Sequence, residues 1–203
     1  MTSKLLAFHG QQAIKDKYLA RVRAHKLADE IVHGKYWSNG KGCAVGCTIH
    51  SGDHSAYETE LGIPRILARL EDGIFESLSN GRAVEWPEQF LNASKVGADL
   101  SLVWSKFAAW MLVDEKYGVL QFAKRVKSRK AIQDIADNYK VWADTGIKPD
   151  VDWWKLRSAA DADADADAAD AADAADDKRQ EWRNAQADKL IELMSSAPIE
   201  VLK

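Results

Sequence analysis

Four side chains within twelve residues have the types that hold a metal ion or carry out acyl transfer: Cys43, Cys47, His50 and His54. Thiolate and imidazole are the donors zinc prefers, and two of each make a recognised tetrahedral set. The spacing imposes a condition. On one continuous helix, positions 43 to 54 would spread over roughly 16 Å at ~1.5 Å per residue, so the chain must fold back for four donors to meet one ion. Gly46 and Gly52 are expected to permit that reversal, because glycine tolerates positive φ. The same atoms also suit thiol chemistry. Cys43 or Cys47 would act as nucleophile with His54 as base, and Asp53 or a distant carboxylate would orient the imidazole. A plainer role is open too, in which the cysteines are small core plugs and the histidines cap the next helix.

These residues lie in a glycine-rich stretch. Five of the twelve glycines fall between Gly34 and Gly52 with no sustained hydrophobic period, which predicts a long loop. Before it, Ile14, Tyr18, Val22, His25, Ala28 and Val32 recur at helical spacing, so residues 11–33 are expected to form a helix that buries His25 as a structural histidine. After it, Ser55-Ala56-Tyr57-Glu58 has capping-box form and predicts a short helix. Pro64 then opens a second helix, whose apolar face comprises Ile66, Leu67, Leu70, Ile74 and Leu78. Asn80-Gly81 is expected to turn, and Glu85-Trp86-Pro87 to open a short helix ending near Ala93.

Asp99 is expected to cap the most buried helix, carrying Val103, Trp104, Phe107 and Met111, with a break at Asp114 to Gly118. Residues 119–145 read as one helix with Val126, Ile132, Ile135, Tyr139 and Trp142 inward. A last helix runs from Pro149 to about Leu193. No period-2 ladder is present, so the expected class is all-α, an irregular helical bundle. It divides by composition into a body over residues 1–148, containing the Cys/His loop at 34–54, and a long acidic helix over 149–203 packed on that body.

The charge supports that division. The chain has 203 residues, 46% of them hydrophobic, and a formal net charge of -3. Residues 1–157 carry 23 basic and 19 acidic side chains, whereas residues 158–203 carry 5 and 12. A polycation coating nucleic acid and a wholly disordered chain are both excluded. From Asp161 to Asp177 there are only aspartate and alanine, with Asp161, Asp163, Asp165, Asp167, Asp170, Asp173 and Asp176 forming a candidate surface for a basic, nucleic-acid-binding protein partner. A low-complexity spacer is the alternative. Lys124, Arg125, Lys127, Arg129 and Lys130 form a basic patch that suits a solvated helix face or contact with nucleic acid. Eight tryptophans are many for this length; Trp37 and the Trp153-Trp154 pair do not fit inward helical positions and are candidate anchors for a ligand or partner.

No stretch is apolar enough to span a bilayer and no signal core opens the chain, so the expectation is a soluble cytoplasmic protein with reduced cysteines. The blocks Phe8-His9-Gly10, Gly40-Lys41-Gly42-Cys43-Ala44-Val45-Gly46-Cys47-Thr48, Asp53-His54-Ser55 and Glu60-Leu61-Gly62-Ile63-Pro64 resemble a family of uncharacterised bacterial and phage proteins with an Ala-rich repetitive C-terminal helix. The resemblance covers about the first 90 residues and implies a phage or prophage setting without transferring any catalytic residue. Two functions follow: an interaction protein, zinc-stabilised and binding a basic partner through its acidic helix, or a small metal- or cysteine-dependent enzyme built on Cys43, Cys47, His50 and His54.

Overall fold

The computed structural model describes residues 4–158 and 176–200. The fold is all-α. The helices are α1 (Gln12–Leu27), α2 (Ala44–Ile49), α3 (Ala56–Leu61), α4 (Arg65–Phe75), α5 (Asn80–Ala93), α6 (Val103–Val113), α7 (Val126–Thr145) and α8 (Asp176–Ser195). Short 3-10 turns cover Ala7–Gly10 and Val119–Phe122, and residues 153–158 are helical. Strand pairing among the described residues is confined to a two-residue hairpin, β1 (Trp37–Ser38) with β2 (Lys41–Gly42), and isolated bridges. No helix among these residues is long and apolar enough to cross a membrane.

By contacts the chain forms two compact units, Met1–Ser101 with Ala187–Lys203, and Leu102–Gln186. This division does not follow the compositional boundary at residue 148.

In the first unit α1 packs on α2 and α5, and α2 also packs on α4 and α5. Tyr57, Leu61, Leu67, Trp86, Phe90 and Leu91 are fully buried. Ala187, Leu190 and Met194 of α8 complete the core, at α-helical spacings of three and four that place them on one face. The Asp99 N–H donates to Pro198 at 2.8 Å, and Arg82 pairs with Asp188. The second unit is built on α6 against α7, with the Val119–Phe122 turn on both. In it the Trp182 indole N–H donates to the Tyr117 carbonyl at 2.6 Å.

Several expectations need correction. α1 stops at Leu27, and Asp29 takes a left-handed φ of 55°. The predicted loop at 34–52 holds the hairpin and α2, and every residue from Gly42 to Ile49 is buried, so α2 and not α6 is the most buried helix. Gly46 and Gly52 have ordinary φ values; the reversals fall at Asn39, Gly40 and His50. Glycine at 46 is demanded by space instead, since a Cβ there would lie 1.4 Å from the Tyr36 carbonyl oxygen.

Asn80-Gly81 opens α5 and is not a turn, with Pro87 accommodated inside that helix. Ser55 makes no cap; its hydroxyl donates to Asp53 at 2.7 Å. Residues 119–145 are not one helix, and Val126, the first residue of α7, is 83% exposed because it precedes the stripe formed by Ile132 and Ile135. The helix expected from Pro149 begins at residue 153, residues 149–152 being non-helical, and past residue 158 it is described only in α8.

Candidate functional site

The two cysteines sit one helical turn apart on α2 and do not share a partner. Cys43 is the N-cap, where its sulfur accepts from the Gly46 N–H at 3.5 Å. The Cys47 thiol donates to the Gly42 carbonyl at 3.3 Å. Both are free and buried. Burial raises both thiol pKa values. Cys47 is pushed up to about 12, and Cys43 higher still, with Asp72 and Glu71 adding to the cost of a thiolate.

The histidines leave in two directions. His50 ends α2 in the left-handed conformation (φ 57°), which turns its ring onto Trp37, stacked at 4.4 Å between centroids. Its Nε2 lies 2.8 Å from Nε2 of His25, and His25 Nδ1 lies 2.7 Å from Glu30. His25 is thereby held between Glu30 and His50, one ring nitrogen on each. Burial and the nearby Arg21 and His25 lower the His50 pKa. His54 instead approaches Asp72, Nε2 to Oδ2 at 3.4 Å, edge-on to Tyr36.

The expected four-donor set is therefore not assembled. Among the described residues, the group whose donor atoms all lie within 4.8 Å of one another is Cys43, Asp72 and Glu76; Cys47, His50 and His54 are not in it. Asp53 does not orient His54 either, because its carboxylate is held by the Ser55 N–H and hydroxyl, bonds that lower its pKa. The distant carboxylate that reaches His54 is Asp72.

Around Cys43 the helices bring polar groups inside. Glu71 of α4 is fully buried: Oε2 accepts from the Tyr57 hydroxyl at 2.6 Å, and the Glu71 carbonyl accepts from the Trp86 indole at 3.0 Å. Its Oε1 and Asp72 Oδ1 are buried without a hydrogen-bond partner. Burial raises the Glu71 pKa to about 8, opposed by the Tyr57 hydrogen bond and reinforced by Asp72. Glu76, at the exposed end of the group, accepts from the Gly34 N–H with both oxygens, at 3.0 and 2.9 Å.

A buried carboxylate oxygen with no hydrogen bond to it is costly unless a proton, a cation or a water meets it. Glu71, fully buried with the Tyr57 hydroxyl donating to one of its oxygens, has the raised pKa of the protonated form. Asp72 lies beside the Cys43 sulfur and the Glu76 carboxylate, the donors a cation would share with it.

Sequence reasoning missed Glu30, Glu71, Asp72 and Glu76, and assigned His25 a structural role alone. One signal was available. The spacing 67, 71, 74 places Glu71 on the same α4 stripe as Leu67 and Ile74, an acid in a core position.

In the second unit the basic patch is partly spent on local structure. Arg129 donates to the Leu120 and Ala123 carbonyls at 3.0 and 3.1 Å, and Lys130 pairs with Asp134 at 2.7 Å. Lys124 and Arg125 precede α7, and Lys127 lies in its first turn. The partner-binding positions Asp161, Asp163, Asp165, Asp167, Asp170 and Asp173 lie outside the described residues, and Asp176 is described only as the start of α8. No family model, no curated protein and no solved structure matches the chain.

Proposed function

We propose that the chain is a metal-binding interaction protein whose first unit takes a divalent cation between Cys43, Asp72 and Glu76. The observation that carries this reading is the clustering of those three donors beside Asp72 Oδ1, a buried carboxylate oxygen without a partner. Zinc suits the mixture best, because a thiolate disfavours magnesium and calcium, whereas zinc accepts sulfur and carboxylate oxygen together. Binding would release the Cys43 proton, which burial otherwise holds on the sulfur. His54, on Asp72, would orient that ligand from behind.

Partner binding is supported by charge alone. The Asp-Ala run from Asp161 to Asp177 presents eight carboxylates suited to a basic surface. The phage or prophage setting rests on the resemblance of the first part of the chain. A cysteine-dependent enzyme has less support, since a buried thiol with a raised pKa is a poor nucleophile.

Cobalt substitution of the purified chain tests the metal site. One equivalent of Co2+ is expected to give a thiolate charge-transfer band that Cys43→Ser abolishes and Cys47→Ser leaves in place. No band in the native chain, or a band that survives Cys43→Ser, rejects the site.

A further inference from the structure

The second unit contains a cavity of about 790 Å3 that none of the chemistry above uses. Its walls follow from helical spacing. Trp104, Ala108, Met111 and Leu112 fall on one face of α6, and Ile132, Ile135, Tyr139 and Trp142 on one face of α7. The chain then returns past Lys148 to the helical residues 153–158, which add Trp153, Trp154 and Arg157. Pro149 anchors this return by accepting from the Trp153 indole N–H at 3.3 Å.

Two features define what would fit. The first is an aromatic wall: Tyr139 lies 4.7 Å from Trp153, 5.8 Å from Trp104 and 6.2 Å from Trp142, centroid to centroid. The second is charge. Lys148 sits over the rings of Trp142 and Trp153, at 5.7 and 5.8 Å from their centroids, and Arg157 is the other ionic residue of the lining, which includes no carboxylate among the described residues. Aliphatic floor, aromatic wall and cationic edge are the three surfaces of a small-molecule site, and the volume falls within the ~300–1,000 Å3 typical of one.

We propose that this cavity binds a small planar aromatic anion, its ring against the Tyr139, Trp142 and Trp153 wall and its carboxylate or other acidic group on Lys148. A rigid ring gains stacking contacts with such walls and loses little conformational freedom on binding. A flexible acyl chain would meet the same aliphatic floor at a larger ordering cost. A nucleic-acid strand would need a continuous track of cations, and Arg129 and Lys130 of the neighbouring basic segment are already engaged with carbonyls and with Asp134.

The test is a calorimetric titration of the full chain with 2-naphthoate, followed in parallel by quenching of tryptophan fluorescence. Saturable binding is expected, weakened about tenfold by Lys148→Ala, the scale of one lost charge-assisted hydrogen bond. The uncharged analogue 2-naphthalenemethanol is expected to bind the native chain and the Lys148→Ala variant equally. Lys148 is exposed, so its replacement leaves folding intact, which circular dichroism would verify. The proposal is overturned if naphthoate fails to bind at millimolar concentration, if Lys148→Ala changes nothing, or if laurate or an oligothymidylate binds more tightly than naphthoate.

Discussion

The two compact units place their ionisable and aromatic groups differently. The first draws ionisable groups inward: Glu71 is fully buried beside Tyr57 and Trp86, and the Cys43 thiol is buried as well. The second holds an aromatic cavity between its helices, with Phe122, Val126, Ile147 and Trp154 exposed; the first exposes Leu27, Tyr36 and Ile199. The physical lesson concerns where each unit is sensitive. A buried polar group has no solvent to replace a lost partner, so the first unit should respond to substitution through stability and pH. An exposed ring loses little on truncation, so the second should respond through what it binds.

Paired tryptophan truncations give the largest expected contrast. Trp86→Ala should cost about 3–5 kcal/mol, because it empties a fully buried site and removes the donor on the Glu71 carbonyl. Trp154→Ala, at a ring 78% exposed, should stay within about 0.5 kcal/mol. Urea unfolding of both variants measures this directly, and equal losses would remove the distinction between the units.

The buried acid predicts the next effect. The folded-state pKa of Glu71 is about 8 against an ordinary 4.5, so the folded metal-free chain holds a proton that the unfolded chain releases between those values. Stability from this group is full below pH 4.5, declines as pH rises, and is gone above about 8. Glu71→Gln should flatten that part of the profile, with a gain on the order of a few kcal/mol at the alkaline end. Unfolding free energies from pH 5 to 8.5 that run parallel in the native chain and Glu71→Gln would contradict the buried-acid account.

A smaller effect with the opposite sign is expected at His50. Its folded-state pKa is lowered from 6.5 by burial, Arg21 and His25, so its contribution is present at neutral pH and lost as pH falls through 6.5. Relative to His50→Gln, the native chain should lose thermal stability between pH 7.5 and 5. The residue is exposed overall and its ring only partly desolvated, so the shift should be small. A native chain that instead gains stability on acidification relative to the variant would reject the lowered pKa of His50.

Helical periods made much of the fold legible: α1, α3, α4, α6 and α7 all lie within the expected segments. The misses share a cause. Asn80-Gly81 has turn chemistry, yet it opens α5 because Ala83, Trp86 and Phe90 behind it bury one face, and that packing outweighs local preference. The glycines at 42 and 46 read as loop markers, but close approach of the Tyr36 carbonyl requires them beside and within a buried helix. For the candidate site, the donor cluster includes Cys43 of the segment that composition singled out, and its other members, Asp72 and Glu76, lie on α4 and just past its end.

What the sequence determined by itself is local: an all-α class, the position of the Cys/His segment, the acidic run and the supply of tryptophan. Helical period reports which face a residue occupies, and charge reports where solvent or a partner is needed. Tertiary structure alone decided which chemistry meets. It placed Cys43 beside Asp72 and Glu76, separated His50 from His54, and joined His50 to His25 across 25 positions of chain. The reason is that donor convergence depends on helix packing and on the left-handed turn at His50, neither of which any periodicity encodes.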